Sequence, residues 1–157
     1  MATFGTPGGD FAVDEAGQRQ MERYMSKLSG PLVDRIDIHV EVPRVPYHQL
    51  AGTADGTDSK TLRQWVVEAR RIQAERNGGP LRTNSTLNGR ELDQHAALDD
   101  AGKELLRSAM TELGLSARAY DKVRRVARTI ADLDGRENVS ADAVGEAIQY
   151  RLLDRKA

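Results

Sequence analysis

The sequence predicts a mainly α-helical fold, in which a small helical bundle follows one helix and one unpaired β-strand. Beyond residue 58, apolar residues recur at helical spacing, with capping residues at the ends of each run. Before it, one short stretch alternates apolar and polar residues. A hydrophobic fraction of 39% with only 4% aromatic residues suits a modest core of Leu, Val, Ile and Ala. We therefore expect helices that bury aliphatic faces against one another.

The chain before residue 58 divides into a tail and a connecting segment. Residues 1–13 are small and glycine-rich, so we expect a tail that is disordered or not native to the protein. Residues 14–57 are predicted to hold a helix, a strand and a linker. The helix carries its apolar residues at helical spacing and ends before a glycine and a proline: Met21, Tyr24, Met25 and Leu28, then Gly30 and Pro31.

Residues 36–42 have the clearest strand pattern in the sequence. Their even-numbered positions are aliphatic and their odd-numbered positions are polar. A lone strand leaves backbone groups unsatisfied, so we expect it to be mobile, to find a surrogate partner or to self-associate. The prolines and glycines of residues 43–58 predict a linker.

Residues 58–157 are predicted to form the helical domain. Its first helix begins at Asp58 or Ser59, ends near Asn77 and places Trp65 in the core. The opposite face of that helix is predicted to be solvated; it carries Arg63, Arg70, Arg71 and Arg76.

Further helices follow with their own start and stop signals. A short helix is predicted over residues 89–97, and a longer one begins at Asp99 or Asp100 and closes at Gly114. Ser116 and Ser140 have the side chains of N-caps for the last two helices. Packing these apolar faces together gives a small bundle of independent but marginal stability.

Arg118 is the residue on which the functional interpretation depends. Ser116 starts the helix, so Arg118 lies in its first turn. The helix dipole disfavours an exposed cation there by about 0.3 to 1 kcal/mol, whereas an anion would be held by free N–H groups and the arginine together. Two interpretations stay open: an arginine that faces phosphate, and a surface arginine paired with Asp121 or Glu112.

Three separated stretches carry a recognisable pattern: YMSKLSGPLVDRIDIHVEVPRV at residues 24–45, LGLSARAYDKVRRVARTIADLDG at residues 113–135 and NVSADAVGEAIQYRLLDR at residues 138–155. In this order they resemble the C-terminal part of the magnesium-chelatase-like AAA+ ATPases of the ComM competence type. The resemblance implies that residues 58–157 are the helical lid of such an ATPase. Residues 14–57 would then be the C-terminal remnant of its nucleotide-binding core, with a linker.

The resemblance also implies roles for two arginines. Arg118, in LSARAY, matches the sensor-2 residue that contacts nucleotide from the lid. Arg35, in GPLVDRID, matches the region where related proteins carry an arginine finger that reaches a neighbouring subunit's ATP site. A local pairing of Arg35 with Asp34 or Asp37 is the alternative.

The resemblance further implies cofactors and partners for a full-length protein. The cofactors are ATP and magnesium, with none expected in this part alone. The partners are the remainder of the AAA+ core, further copies in a homo-oligomeric ring, and DNA, on which ComM-like rings act in branch migration. In the chelatase branch, such rings instead drive metal insertion into a porphyrin, and the sequence does not choose between the two machines.

The chain lacks the motifs that would make it an enzyme alone. It contains no G-x-x-x-x-G-K-[ST] and no apolar strand that ends in paired carboxylates, so we expect no ATP hydrolysis by this chain alone. Without cysteine, and with histidines that lack ligand spacing, no metal site is predicted. No signal peptide or long apolar run is present, so we expect a cytoplasmic protein without a membrane partner.

Two alternatives from other functional classes stay open. One is a protein-interaction domain. The other is a stand-alone helical module that binds DNA, although a net charge of −1 gives no global attraction to nucleic acid. The basic residues of such a module would be Lys122, Arg124, Arg125 and Arg128.

Overall fold

The computed structural model describes residues 30–40 and 56–151, together with positions 23, 42 and 45. The predicted tail, and most of the predicted first helix and linker, lie outside the described residues. The mainly helical fold is confirmed. The elements are α1 (Gly30–Val33), α2 (Ser59–Asn77), a 3₁₀ turn (Asn84–Thr86), α3 (Gly89–His95), α4 (Asp100–Glu112), α5 (Ala117–Leu133) and α6 (Ala141–Gln149).

Each of the longer helices begins at a capping side chain that the sequence predicts. The side-chain oxygen of the cap accepts a hydrogen bond from a backbone N–H of the first turn, which contributes about 1 kcal/mol to helix stability. The pairs and their distances are Asp58 with Thr61 at 2.6 Å, Asp99 with Gly102 at 2.7 Å, Ser116 with Ala119 at 3.2 Å and Ser140 with Ala143 at 3.3 Å.

The turn between α4 and α5 fixes where α5 begins. Gly114 has φ of 63°, in the left-handed region that favours glycine. The N–H of Leu115 then donates to the carbonyl of Met110 at 3.1 Å, which closes the end of α4. The chain reverses at once, so that Ser116 and the first turn of α5 stand at the surface.

Helix α5 is the centre of the bundle. It packs against α2, α3, α6 and the 3₁₀ turn, while α4 packs against α6. A parallel bridge between Leu98 and Val139 joins the segments that lead into α4 and α6. The core is aliphatic, and its most deeply buried side chains include Leu87, Leu92, Leu106, Val123 and Val144.

Only the C-terminal half of α2 packs into this core. Ala69, Gln73 and Asn77 are buried, whereas Trp65 is 52% exposed. The prediction of a core position for Trp65 is therefore wrong. Helical periodicity identifies which face of a helix is apolar, but it does not say how much of the helix length the neighbouring helices cover.

The predicted strand has no partner strand among the described residues. Over residues 36–40 the backbone is held by the end of the bundle instead. The N–H of His39 donates to the carbonyl of Tyr150 at 2.8 Å, and the guanidinium of Arg151 donates to the carbonyl of Ile36. Glu41 lies outside the described residues, so the strand stays a prediction.

No helix in the described part of the chain is both long and apolar enough to cross a bilayer.

The division of the chain into residues 1–13, 14–57 and 58–157 stays a prediction.

Candidate functional site

Arg118 lies in the first turn of α5, as the sequence predicts. Its side chain is 72% exposed, and its Nη1 atom lies 3.6 Å from Oδ2 of Asp34. The partner is therefore neither Asp121 nor Glu112, the residues considered from sequence. An exposed pair at this distance contributes about 0 to 1 kcal/mol, so most of the guanidinium surface remains available for a ligand.

Asp34 lies in the turn after α1 and faces the start of α5. Its Oδ1 accepts a hydrogen bond from the Ser116 hydroxyl at 2.7 Å, and Nη2 of Arg151 lies 3.9 Å away. The Ser116 hydrogen bond is the main cause that lowers the pKa of the Asp34 carboxyl. The charges of Arg118, Arg151 and Lys122 act in the same direction, against partial desolvation. The Asp34 carboxyl is therefore ionised at neutral pH.

Arg35 follows Asp34 directly and has an exposed side chain. Its backbone is fixed on both sides: its N–H donates to the Leu32 carbonyl at 3.0 Å, and its carbonyl accepts from Nζ of Lys122 at 2.6 Å. Nζ of Lys122 also lies 2.7 Å from Asp37. The structure thus attaches the segment that carries Arg35 to the same helix that carries Arg118.

The basic run of α5 does not form a free surface. Lys122 binds the Arg35 carbonyl and Asp37, as above. Nη2 of Arg124 lies 2.8 Å from Asp93, and Arg125 donates to the Leu87 carbonyl at 2.9 Å. Arg128 is buried. These four residues are therefore engaged within the molecule, because α5 is the central helix and neighbouring segments bind its polar side chains. Their use in a stand-alone DNA-binding module stays an alternative.

A buried ionic cluster, which sequence analysis missed, joins α2 to α5. The side chain of Asp132 is fully buried, and both of its oxygens are bound by Arg76, at 2.5 and 2.8 Å. Nε of Arg128 donates to the same carboxylate at 3.0 Å, and Nδ2 of Asn84 donates to it at 2.8 Å. The predicted solvation of Arg76 is wrong. The available signal was the opposite charges of Arg128 and Asp132 four residues apart on one helix.

The resemblance implies a bound nucleotide and a magnesium ion, and the described residues offer different contacts to each. Arg118 offers a phosphate an exposed guanidinium at a helix N-terminus. Among the described residues, no group of three or more His, Asp or Glu side chains could hold a metal ion.

Two known families match this chain. Residues 56–151 match the family described as "Magnesium chelatase, subunit ChlI C-terminal", and residues 4–50 match the family described as "Magnesium chelatase, subunit ChlI". The chain belongs to the magnesium chelatase ChlI family. Within this ChlI-family chain, Arg118 lies in the first matched region and Arg35 lies in the second.

Individual relatives support a ComM-type member of the ChlI family, as the sequence resemblance predicts. Competence protein ComM of Haemophilus influenzae is 40% identical over 138 residues, which are 87% of this chain and 26% of that protein. YifB of Escherichia coli is 36% identical over 137 residues, again 87% of this chain and 26% of the relative. Rv2897c of Mycobacterium tuberculosis is 37% identical over 130 residues, 82% and 26% respectively. The chain spans about a quarter of the length of the curated relatives it matches.

Proposed function

We propose that this chain is the lid region of a ComM-type AAA+ ATPase and that Arg118 contacts a phosphate of ATP bound by the rest of the protein. The observation that supports the proposal is the position of Arg118. Its guanidinium is exposed in the first turn of a 17-residue helix, and among the described residues it has a single ion pair, at 3.6 Å. The N-terminal end of a helix favours an anion, which a bound phosphate would supply.

An arginine suits this role better than another cation. Its planar guanidinium can donate two parallel hydrogen bonds to phosphate oxygens, and such charge-assisted bonds are worth about 1.5 to 3 kcal/mol. The pair with Asp34 is weaker than this because it is long and solvated. A phosphate at the start of α5 would therefore displace Asp34 as the partner of Arg118.

Arg35 has a second role in this proposal. Its exposed side chain extends from a backbone that Lys122 fixes to α5 at 2.6 Å. In a homo-oligomeric ring, Arg35 would act as an arginine finger and stabilise the charge that develops on the transferred phosphoryl group of a neighbouring subunit. ATP and magnesium would both be held mainly by the remainder of the core.

We further propose that the energy of hydrolysis is used to remodel DNA. The support is the 40% identity to a protein named for competence, and stimulation of the ATPase by DNA would separate this activity from metal chelation. A stand-alone DNA-binding module is not favoured, because the basic run of α5 is engaged within the molecule.

The test of the proposed function is ATP hydrolysis by a full-length protein that contains this chain. Arg118→Ala should lower kcat/KM by roughly tenfold or more while the melting temperature stays unchanged, since 1.4 kcal/mol corresponds to a factor of ten. Arg118→Lys should restore little of the lost kcat/KM, because a lysine ammonium cannot donate the two parallel hydrogen bonds of a planar guanidinium. Arg107→Ala is the matched control, since the Arg107 side chain is also 72% exposed and ion-paired. Wild-type turnover by a normally folded Arg118→Ala protein would refute the proposal.

A further inference from the structure

Asp34 connects the two arginines of the proposed site. Its carboxylate is bound by the hydroxyl of Ser116, the N-cap of α5, at 2.7 Å, and it lies 3.6 Å from Arg118 in the first turn. Its backbone continues directly into Arg35. A single side chain therefore joins the N-terminal end of the lid helix to the segment that carries the second arginine.

Further polar contacts join the rest of that segment to α5 and to the end of α6. Beyond Asp34, the carbonyl of Arg35 accepts from Lys122 at 2.6 Å, and Asp37 lies 2.7 Å from the same ammonium. The His39 N–H donates to the Tyr150 carbonyl at 2.8 Å. The buried Arg151 also donates to the Ile36 carbonyl. The Asp34–Arg118 pair is thus one of several contacts that position the segment, and its loss should change local hydrogen exchange by a small, measurable factor.

A phosphate and the Asp34 carboxylate would both be anions beside the same exposed guanidinium, 3.6 Å from Asp34, so they repel each other and compete for its charge. When a phosphate draws the guanidinium away, Asp34 loses one cation and keeps the Ser116 hydrogen bond and the charges of Arg151, at 3.9 Å, and Lys122. Thermodynamic linkage then requires the effect to be reciprocal: whatever loosens Asp34 favours the phosphate, and the phosphate loosens Asp34 by the same factor.

We propose that Asp34 is a positioning residue that couples the two arginines: its carboxylate holds Arg118 while no phosphate is bound, and release of Arg118 to a phosphate loosens the segment that carries Arg35. The phosphate half of this mechanism rests on the proposed function. The Asp34–Arg118 link itself belongs to the 157-residue chain and is measurable without nucleotide.

The first experiment uses NMR on the 157-residue chain. It follows the titration of the Asp34 carboxyl and the hydrogen exchange of the His39 amide. The groups that face Asp34 are Ser116, Arg118 and Lys122 of α5 and Arg151 after α6; Asp37 lies on its own segment. Arg118→Ala should raise the pKa of Asp34 and speed the exchange of the His39 amide about two- to fivefold, as expected for loss of one exposed ion pair.

The controls separate positioning from general destabilisation. Arg118→Lys should restore the Asp34 titration, since any cation at this distance lowers the carboxyl pKa. Arg107→Ala should change neither readout. In an Asp34→Asn background, which keeps an acceptor for Ser116, Arg118→Ala should add nothing to the exchange rate. An unchanged Asp34 titration and unchanged His39 exchange in Arg118→Ala would overturn the proposal, whatever the ATPase results.

The second experiment measures ATP affinity in the full-length protein. Asp34→Asn should tighten ATP binding by about two- to fivefold, because the competitor for Arg118 loses its charge. The effect should vanish when Arg118 is alanine. An equal change with and without Arg118 would contradict the competition. If Arg118→Ala leaves ATP binding unchanged while the NMR coupling is present, the proposed function fails and the positioning role of Asp34 does not.

Discussion

At the scale of single residues, described arginines lie in contrasting environments that the sequence does not distinguish. Arg76 and Arg128 surround the fully buried Asp132, whereas Arg118 stands 72% exposed beside Asp34. Arg76 and Arg128 are engaged in structure, and Arg118 is available to a ligand. Burial and partners, rather than residue type, decide which arginine can act on a substrate.

Asp132→Asn should lower the free energy of unfolding by about 3 to 5 kcal/mol, because it leaves two largely buried guanidinium groups without their carboxylate. Chemical denaturation of the 157-residue chain measures this change. Glu104→Gln is the control, since its pair with Arg107 is exposed and should contribute at most about 1 kcal/mol. A loss below about 1 kcal/mol in Asp132→Asn would mean that the cluster contributes little to folding.

The contribution of Asp34 to stability should depend on pH in a defined direction. Its pKa is lowered in the folded state, first by Ser116 and then by the nearby cations. The stabilisation is therefore complete above the unfolded pKa, about 3.9, and is lost as pH falls through the lower folded value. The difference in unfolding free energy between wild type and Asp34→Asn should shrink over that acidic range. A difference that grows on acidification would contradict the assignment.

The sequence predicts that Arg118 lies in the first turn of a helix, but it does not predict the ion-pair partner of Arg118. Ser116 as a cap and the helical spacing after it locate Arg118 in the first turn, and the structure agrees. Asp34 belongs to a distant part of the chain, and no local pattern reports such a contact. The same limit applies to Arg76, whose partner Asp132 lies 56 positions further along the chain.

At the scale of elements, the predicted helix starts were correct because capping is local chemistry. Asp58, Ser116 and Ser140 each accept the backbone hydrogen bond that their side chains predict. How each helix is covered depends on tertiary packing. Helix α5 packs against α2, α3, α6 and the 3₁₀ turn, so the side chains of its basic run form contacts within the molecule. Helix α2 packs against the core along only half of its length.

Trp65 allows a direct test of the uncovered half of α2. Trp65→Ala should cost less than about 1 kcal/mol of unfolding free energy, whereas Leu92→Ala should cost about 2 to 5 kcal/mol because Leu92 is completely buried. Trp65 is the only tryptophan of the chain, so its fluorescence reports on this site alone. Emission like that of a buried tryptophan, together with a large loss of stability, would show that another element covers α2.

At the scale of the whole molecule, the helical fold class was predictable because amphipathic periods and caps recur through residues 58–151. The contacts that join the helical bundle to residues 34–36 were not predictable from the sequence. They depend on Asp34, Lys122 and Arg151, which meet only after α5 and α6 have packed. The sequence therefore predicts Arg35 and Arg118 as separate candidate residues, but it does not predict the contacts that connect them.

In the proposed function, the arginines of this chain act on nucleotide held by the rest of a larger protein. Calorimetry and phosphate release with Mg-ATP and the 157-residue chain alone test this proposal. Because the sequence contains no phosphate-binding loop motif, we expect no turnover and at most weak nucleotide binding. Micromolar binding with sustained hydrolysis by the chain alone would contradict it.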